Sequence, residues 1–258
     1  MADESFFVRT GAHTFEPTAH AGGAWSDEDH HFAPLAGLLV HEMENAQRAG
    51  APGQLARVSF DILGRLPFTG FEVAVEVVRP GRTIELVQAT MTSGDRPVLT
   101  ARAWYLAAFD SSAGAGVEEA PIEPPHAGEE RDMTATWPGG FIAQIVSRQV
   151  STPRPGASTT WITSPNTLVA GEDSHDVAEF IARVDAANGV APRGEPGEWA
   201  FPNVDLTVHL FRRPDPQWTG LDTTVSWGPD GVGLTSSVLH DVHGPVGRAN
   251  QCLTVRRA

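Results

Sequence analysis

The chain has 258 residues and a formal net charge of −14, and all 18 of its basic residues are arginine. The negative field disfavours non-specific binding to nucleic acid, and the absence of lysine excludes Schiff-base chemistry and a Walker-type phosphate loop. A single cysteine excludes an internal disulfide and a multi-cysteine zinc site, while the lack of a membrane-spanning apolar stretch and of a secretory signal predicts a cytoplasmic protein without membrane insertion.

The first predicted helix lies in "APLAGLLVHEMENAQRAG", residues 33–50. Pro34 suits the first helical position, an apolar stripe follows at helical spacing, and Gly50 is a typical end signal. The stripe consists of Leu35, Leu38, Leu39 and Met43. We therefore expect a helix that packs against a core along this stripe.

A series of predicted strands follows the first helix. Residues 56–63 form one strand, and residues 70–106 form three more, joined by the turns "RPGR" and "SGDR". Residues 110–131 are rich in Ala, Gly, Pro and Glu without a regular period, which is typical of a surface linker. The predicted organisation is an N-terminal unit over residues 1–109, this linker, and a C-terminal unit over residues 132–258.

The second predicted helix is "DSHDVAEFIARVDAANG", residues 173–189. Asp173 or Ser174 suits the N-cap position, and Asn188 with Gly189 is a typical C-terminal signal. The apolar residues at helical spacing are Val177, Phe180, Ile181 and Val184. This helix is followed by the strand "NVDLTVHL", as the first helix is followed by "ARVSFDIL".

The two halves of the chain repeat one pattern. Residues 220–253 align with residues 70–106, so that Gly94 of the second turn aligns with Gly244. One helix followed by a long antiparallel meander, present twice, is the layout of a double hotdog. We therefore predict an α+β fold with two antiparallel sheets, each wrapped around a central helix.

The last predicted strand, residues 246–255, carries a glutamine on an otherwise small and apolar face. That face consists of Gly247, Ala249, Gln251, Leu253 and Val255. The first copy has Ala103 at the position of Gln251, so a small apolar residue satisfies the fold there. Since a buried amide without a partner costs roughly 1–3 kcal/mol, we expect Gln251 to be hydrogen-bonded.

Two further polar residues distinguish the second half. Asp185 lies four residues after Ile181, on the core-facing stripe, where the first helix has Met43. It also lies in the last helical turn, where the macrodipole disfavours an anion by ~0.3–1 kcal/mol, so a structural role alone explains it poorly. The polar face of the next strand consists of Asn203, Asp205, Thr207 and His209.

Three stretches of the chain resemble the acyl-CoA thioesterase II-like double hotdog enzymes: "VDAANGV", "NVDLTVHLFRRP" and "VGRANQCLTVR". In that family an Asp at the helix end, a Thr or Ser two residues before the strand's Asp, and a Gln in the final strand position a water on the thioester carbonyl. The resemblance implies these roles for Asp185, Asn203 and Gln251, with an amide in place of the usual hydroxyl at Asn203.

The same resemblance implies an acyl-CoA or another acyl thioester as substrate and a homo-oligomer as the assembly. It implies no metal or redox cofactor, and CoA enters only as part of the substrate. Asp185 is the only titratable member of the three residues and is therefore the expected general base. We expect the remaining oxyanion donor to be a backbone N–H.

Two alternatives stay open. A hotdog enoyl-thioester hydratase or dehydratase would use an Asp–His pair, for which Asp205 and His209 are the nearby candidates. A non-catalytic acyl-thioester binder is favoured by the missing hydroxyl at Asn203 and by "DHHFAPLAGLL", which replaces the family's Gly-rich start of the first helix. The pair His30-His31 and the motif "HDVH" (residues 240–243) lack a third metal ligand at a recognisable spacing, so we expect turn or surface histidines.

Overall fold

The computed structural model describes residues 4–47 and 50–258, and these are rich in long antiparallel strands. The strands are β1 (Ser5–Arg9), β2 (Thr14–Pro17), β3 (Gln54–Ile62), β4 (Phe71–Arg79), β5 (Ile84–Ser93), β6 (Arg96–Leu106), β7 (Glu129–Glu130), β8 (Val146–Gln149), β9 (Ala157–Thr163), β10 (Thr167–Val169), β11 (Trp199–Ala200), β12 (Asp205–Leu210), β13 (Thr219–Trp227), β14 (Val232–Asp241), β15 (Gly244–Thr254) and β16 (Arg256–Arg257).

The α-helices are α1 (Phe32–Asn45), α2 (Asp176–Ile181) and α3 (Ala187–Val190). Short 3-10 turns occupy Ala19–Ala21, Ser112–Gly114, Pro125–Ala127, Met133–Ala135, Ile142–Gln144 and Val184–Ala186. Within the described ranges no helix combines the length and apolar character needed to cross a membrane.

Fourteen of the strands form one sheet, in the order β10-β1-β2-β4-β5-β6-β3-β12-β15-β14-β13-β9-β8-β7. The sequence predicts two sheets, but β3 and β12 pair antiparallel at the centre and join the halves, with Val58 opposite Val208. The central eight strands are arranged symmetrically about this pair, which matches the repeat in the sequence. Gly94 and Gly244 both have positive φ angles, 58° and 118°, beside equivalent hairpin turns.

Helix α1 is the most deeply buried element of the N-terminal half. All of its residues from Phe32 to Met43 are buried, and it packs on α2 and on strands β4, β5 and β6. A Cβ atom added to Gly37 would lie 2.5 Å from the Cβ of Ala182, so glycine allows this close approach to α2. The helix begins with Phe32, which puts Pro34 at its third position, and it ends before Gly50.

The second predicted helix is divided into α2, a 3-10 turn and α3 rather than continuous. Its N-cap is His175, not Asp173 or Ser174, and Asn188 and Gly189 lie within α3. The break comes at Arg183, whose buried side chain turns to donate to Thr219 Oγ1 and to the Pro216 carbonyl. The next turn contains Asp185, whose carboxylate contacts Gln251 of strand β15.

The segment from residue 110 to residue 131 is largely exposed, and it contacts the C-terminal half. Arg248 forms an ion pair with Glu119, and the Trp161 indole donates to the Glu123 carbonyl at 2.7 Å. Two 3-10 turns and the short strand β7 are its only regular elements among the described residues.

Candidate active site

The structure brings Asp185, Asn203 and Gln251 into direct contact. Oδ1 of Asp185 accepts a hydrogen bond from Asn203 Nδ2 at 2.8 Å and another from Gln251 Nε2 at 2.7 Å. The three residues come from a 3-10 turn, from the residues just before β12, and from β15. Side chains distant in sequence therefore share one carboxylate oxygen.

Gln251 lies on the buried face of β15, as its alternation with Ala249 and Leu253 predicts. The side chain is 1% exposed, and Nε2 also donates to the Asp185 backbone carbonyl at 3.3 Å. The expectation that this amide is hydrogen-bonded is confirmed. Its Oε1 is buried and has no protein partner among the described residues, so one acceptor of the cluster is left open.

Asn203 lies just before β12, where it forms an isolated bridge with Leu253. Besides the bond to Asp185, its Nδ2 donates to the Asp205 carbonyl at 3.0 Å. The amide group is therefore held from two sides and faces the carboxylate. Val204, the residue between Asn203 and the start of β12, is 42% exposed.

Asp185 is a buried acid, only 5% exposed. Burial raises the pKa of its carboxyl to about 7, although the hydrogen bonds from Asn203 and Gln251 act in the opposite direction. Its second oxygen, Oδ2, receives neither amide and lies 3.8 Å from Nδ1 of His31. One carboxylate oxygen is thus fixed and the other remains available to a ligand.

His31 is the residue that the sequence reasoning missed. Its Nδ1 accepts the backbone N–H of Ala33 at 3.1 Å and so caps α1, and burial lowers the pKa of its imidazole to about 3. The expectation of a turn or surface histidine is wrong here and for His30 and His240, which are 4% and 1% exposed, but it is confirmed for His243, which is exposed in the turn after β14. A signal was present, since a polar residue just before a Pro-containing apolar stripe marks an N-cap.

A cavity of about 380 Å³ lies beside the carboxylate and is lined by residues of both halves. Its walls include His31, Asp185 and Asn203, whereas Gln251 is not among the described residues that line it. The apolar part of the lining includes Trp25, Phe32, Ile62, Leu66 and Val204. Its other charged residues are Asp29, Arg65 and Arg256, of which Arg65 pairs with Asp29 at 3.1 Å.

Asp205 and His209 do not form a pair. Asp205 Oδ1 accepts the backbone N–H of Cys252 at 2.6 Å, and His209 is exposed. Since they are four residues apart on one strand, their Cα atoms are ~13 Å apart. The expectation of solvent exposure or a structural hydrogen bond is confirmed.

One cluster outside the cavity has the composition of a metal site. Ligand atoms of His41, Glu42 and Glu172 lie within 4.8 Å of one another. The Arg9 guanidinium, however, contacts Glu42 at 2.7 Å and Glu172 at 2.6 Å. Because this guanidinium supplies the compensating positive charge, the cluster is a structural ion-pair network.

Comparison with protein families gives two matches along the chain. Residues 22–106 match the acyl-CoA thioesterase N-terminal domain, and residues 118–255 match the acyl-CoA thioesterase C-terminal domain. No curated protein matches significantly.

Several solved structures have the same fold. A protein of unknown function with a hot dog fold from Alicyclobacillus acidocaldarius is 14% identical, with a TM-score of 0.76 over 99% of this chain and 97% of that one. Acyl-CoA thioesterase II TesB2 from Mycobacterium marinum is 12% identical, with a TM-score of 0.71 over 100% and 97%. A tesB protein from Mycobacterium avium subs paratuberculosis is 15% identical, with a TM-score of 0.68 over 97% and 95%.

Proposed function

Because the chain belongs to the acyl-CoA thioesterase family, we propose that it hydrolyses acyl-CoA or a related acyl thioester with a water activated by Asp185. One observation carries the proposal: a buried carboxylate on the cavity wall has Oδ1 held by two amides and Oδ2 left available. A pKa of about 7 suits a general base near neutral pH, because the carboxylate is then both populated and basic.

The reaction needs only water and the thioester. Oδ2 of Asp185 takes a proton from the water as the water oxygen bonds to the carbonyl carbon, and the carbonyl electron pair moves to its oxygen. The tetrahedral intermediate collapses with cleavage of the C–S bond, and the Asp185 proton goes to the leaving thiolate. The products are a carboxylic acid and a free thiol, and Asp185 is again a carboxylate.

Asn203 and Gln251 act on the carboxylate in this proposal. Their donors both point at Asp185 Oδ1, so they orient the base and favour its ionised form. An amide at Asn203 supplies a donor as the family's hydroxyl does, so the departure from the pattern is compatible with activity.

The hydratase alternative keeps one observation in its favour, the 3.8 Å approach of His31 to Asp185. A hydratase that used this pair would need an imidazole lone pair that faces the substrate. The Nδ1 lone pair of His31 is taken by the Ala33 N–H. Hydrolysis therefore fits the site better than hydration does.

A thiol-release assay across acyl-CoA chain lengths tests the proposal, with Asp185→Ala and Gln251→Ala as site variants. Asp230→Asn, in the exposed turn between β13 and β14, is the matched control. We expect release by the wild type and the control and a loss in both site variants. Absorbance changes with enoyl substrates alone would support hydration, and tight binding without turnover would support a non-catalytic binder; either result contradicts the proposal.

A further inference from the structure

The His31 ring is held by a hydrogen bond and a ring contact, and it lies close to Asp185. Nδ1 accepts the Ala33 N–H at 3.1 Å, and the same nitrogen lies 3.8 Å from Asp185 Oδ2. The ring also packs on Phe141 with 4.3 Å between centroids and an interplanar angle of 36°. The N-cap bond and the ring contact restrict rotation of the side chain, which is among the residues that line the cavity.

The cap determines where the imidazole proton lies. Because Nδ1 accepts a backbone N–H, the neutral ring carries its proton on Nε2. Both burial and the positive end of α1 disfavour the imidazolium form, so the ring stays neutral. Nε2 takes part in none of the hydrogen bonds found among residues 4–47 and 50–258, so its N–H is available to a ligand.

The two side-chain amides that contact Asp185 are already used. The amide of Asn203 donates to Asp185 and to the Asp205 carbonyl, and the amide of Gln251 donates twice to Asp185. Nε2 lies across the ring from Nδ1 and therefore up to one ring width farther from Oδ2.

We propose that His31 is a catalytic residue whose Nε2–H donates to the thioester carbonyl oxygen and stabilises the oxyanion. The inference rests on the proposed hydrolysis and replaces the expectation that the remaining donor is a backbone N–H alone. A neutral donor beside Asp185 has a second advantage, because an imidazolium there would lower the pKa of the base and weaken it.

Two substitutions separate this role from simple helix capping. His31→Asn keeps an acceptor near the Nδ1 position, and Asn is among the best N-caps, but it lacks a donor at the Nε2 position. His31→Gln places an amide N–H near the Nε2 position and is the poorer cap. Loss of an oxyanion donor lowers kcat by ~10²–10³-fold, so we expect that loss in His31→Asn, with KM little changed and His31→Gln clearly faster. A His31→Asn variant within about twofold of wild type, or slower turnover by His31→Gln, overturns the inference.

Two readouts do not depend on turnover. In the wild type, ¹⁵N NMR of His31 should show the neutral Nε2–H form at pH 7; an Nδ1–H or charged ring contradicts the inference. In Asp185→Asn, which should bind thioester without hydrolysing it, the carbonyl stretch of a bound acyl-CoA should lie below its value in water. Adding His31→Asn should remove that shift, and a shift that persists overturns the role of His31.

The same set of variants separates the two claims. If Asp185→Asn hydrolyses thioesters as fast as the wild type, the proposed function of Asp185 fails. If Asp185→Asn is inactive while His31→Asn is fully active, only the role of His31 fails.

Discussion

Replacing Asp185 by Asn should stabilise the protein at neutral and alkaline pH while it abolishes hydrolysis. The asparagine oxygen can accept the same two bonds from Asn203 and Gln251, since both reach one carboxylate oxygen. Its new NH₂ group replaces Oδ2, which faces Nδ1 of His31. The substitution therefore removes a buried ionisable group and preserves the packing around it.

The magnitude follows from the pKa of Asp185. Burial raises this pKa from 3.8 to about 7, so between these values the folded state holds a proton that the unfolded state has lost. Stability then falls as pH rises from the unfolded pKa through the folded pKa. At 1.36 kcal/mol per pKa unit, the wild type loses roughly 4 kcal/mol by pH 8 but only roughly 1–2 kcal/mol at pH 5. The free-energy advantage of Asp185→Asn should therefore grow by roughly 2–3 kcal/mol between these two pH values.

Urea unfolding of the wild type and of Asp185→Asn at pH 5 and pH 8 measures this difference directly. Asp230→Asn, an exposed turn substitution, should follow the wild type at both pH values. An advantage for Asp185→Asn that is the same at both pH values would show that the carboxyl ionises as readily in the folded chain as in the unfolded one. That result would refute the argument for a buried base with a raised pKa.

Three further substitutions have defined outcomes. Gln251→Ala removes a hydrogen bond that lowers the pKa of Asp185. The rate of thiol release should therefore fall by ~10-fold or more, and the pH at which this rate rises should shift to a higher value. An unchanged pH profile would contradict a role for this hydrogen bond. Asn203→Thr, which supplies the family's hydroxyl, should release thiol within ~10-fold of the wild-type rate, whereas an inactive Thr variant would show that the amide is indispensable. Gly37→Ala would place a Cβ atom 2.5 Å from that of Ala182. The free energy of unfolding, measured in urea, should therefore fall by ~1–3 kcal/mol. An unchanged value would show that the packing of α1 against α2 does not require a glycine here.

The strands were predictable because their patterns are local. Alternation along β15 identifies its buried face, and the repeat shows that Gln251 stands where the first half has Ala103. The pairing of β3 with β12 was not predictable, since it is set by how two halves meet rather than by either strand alone. This one pairing converts two expected sheets into a continuous one.

The candidate site shows the same division. Asp185 could be found because an acid on an apolar stripe is anomalous, whatever the helix does around it. The break at Arg183 was not visible from the local pattern, and the residues that its side chain contacts, 216 and 219, are distant in sequence. His31 was missed because its approach to Asp185 is a contact between residues distant in sequence, which no local pattern indicates. Only its N-cap bond has a sequence signal.

The pH dependence of kcat/KM for thiol release tests the central claim most directly, because it reports ionisations of the free enzyme. If Asp185 is the general base, the wild-type rate rises with pH through a single ionisation near 7, and Asp185→Asn shows neither the rate nor the ionisation. Hydrolysis by Asp185→Asn at the wild-type rate, with the same rise near pH 7, would contradict the account.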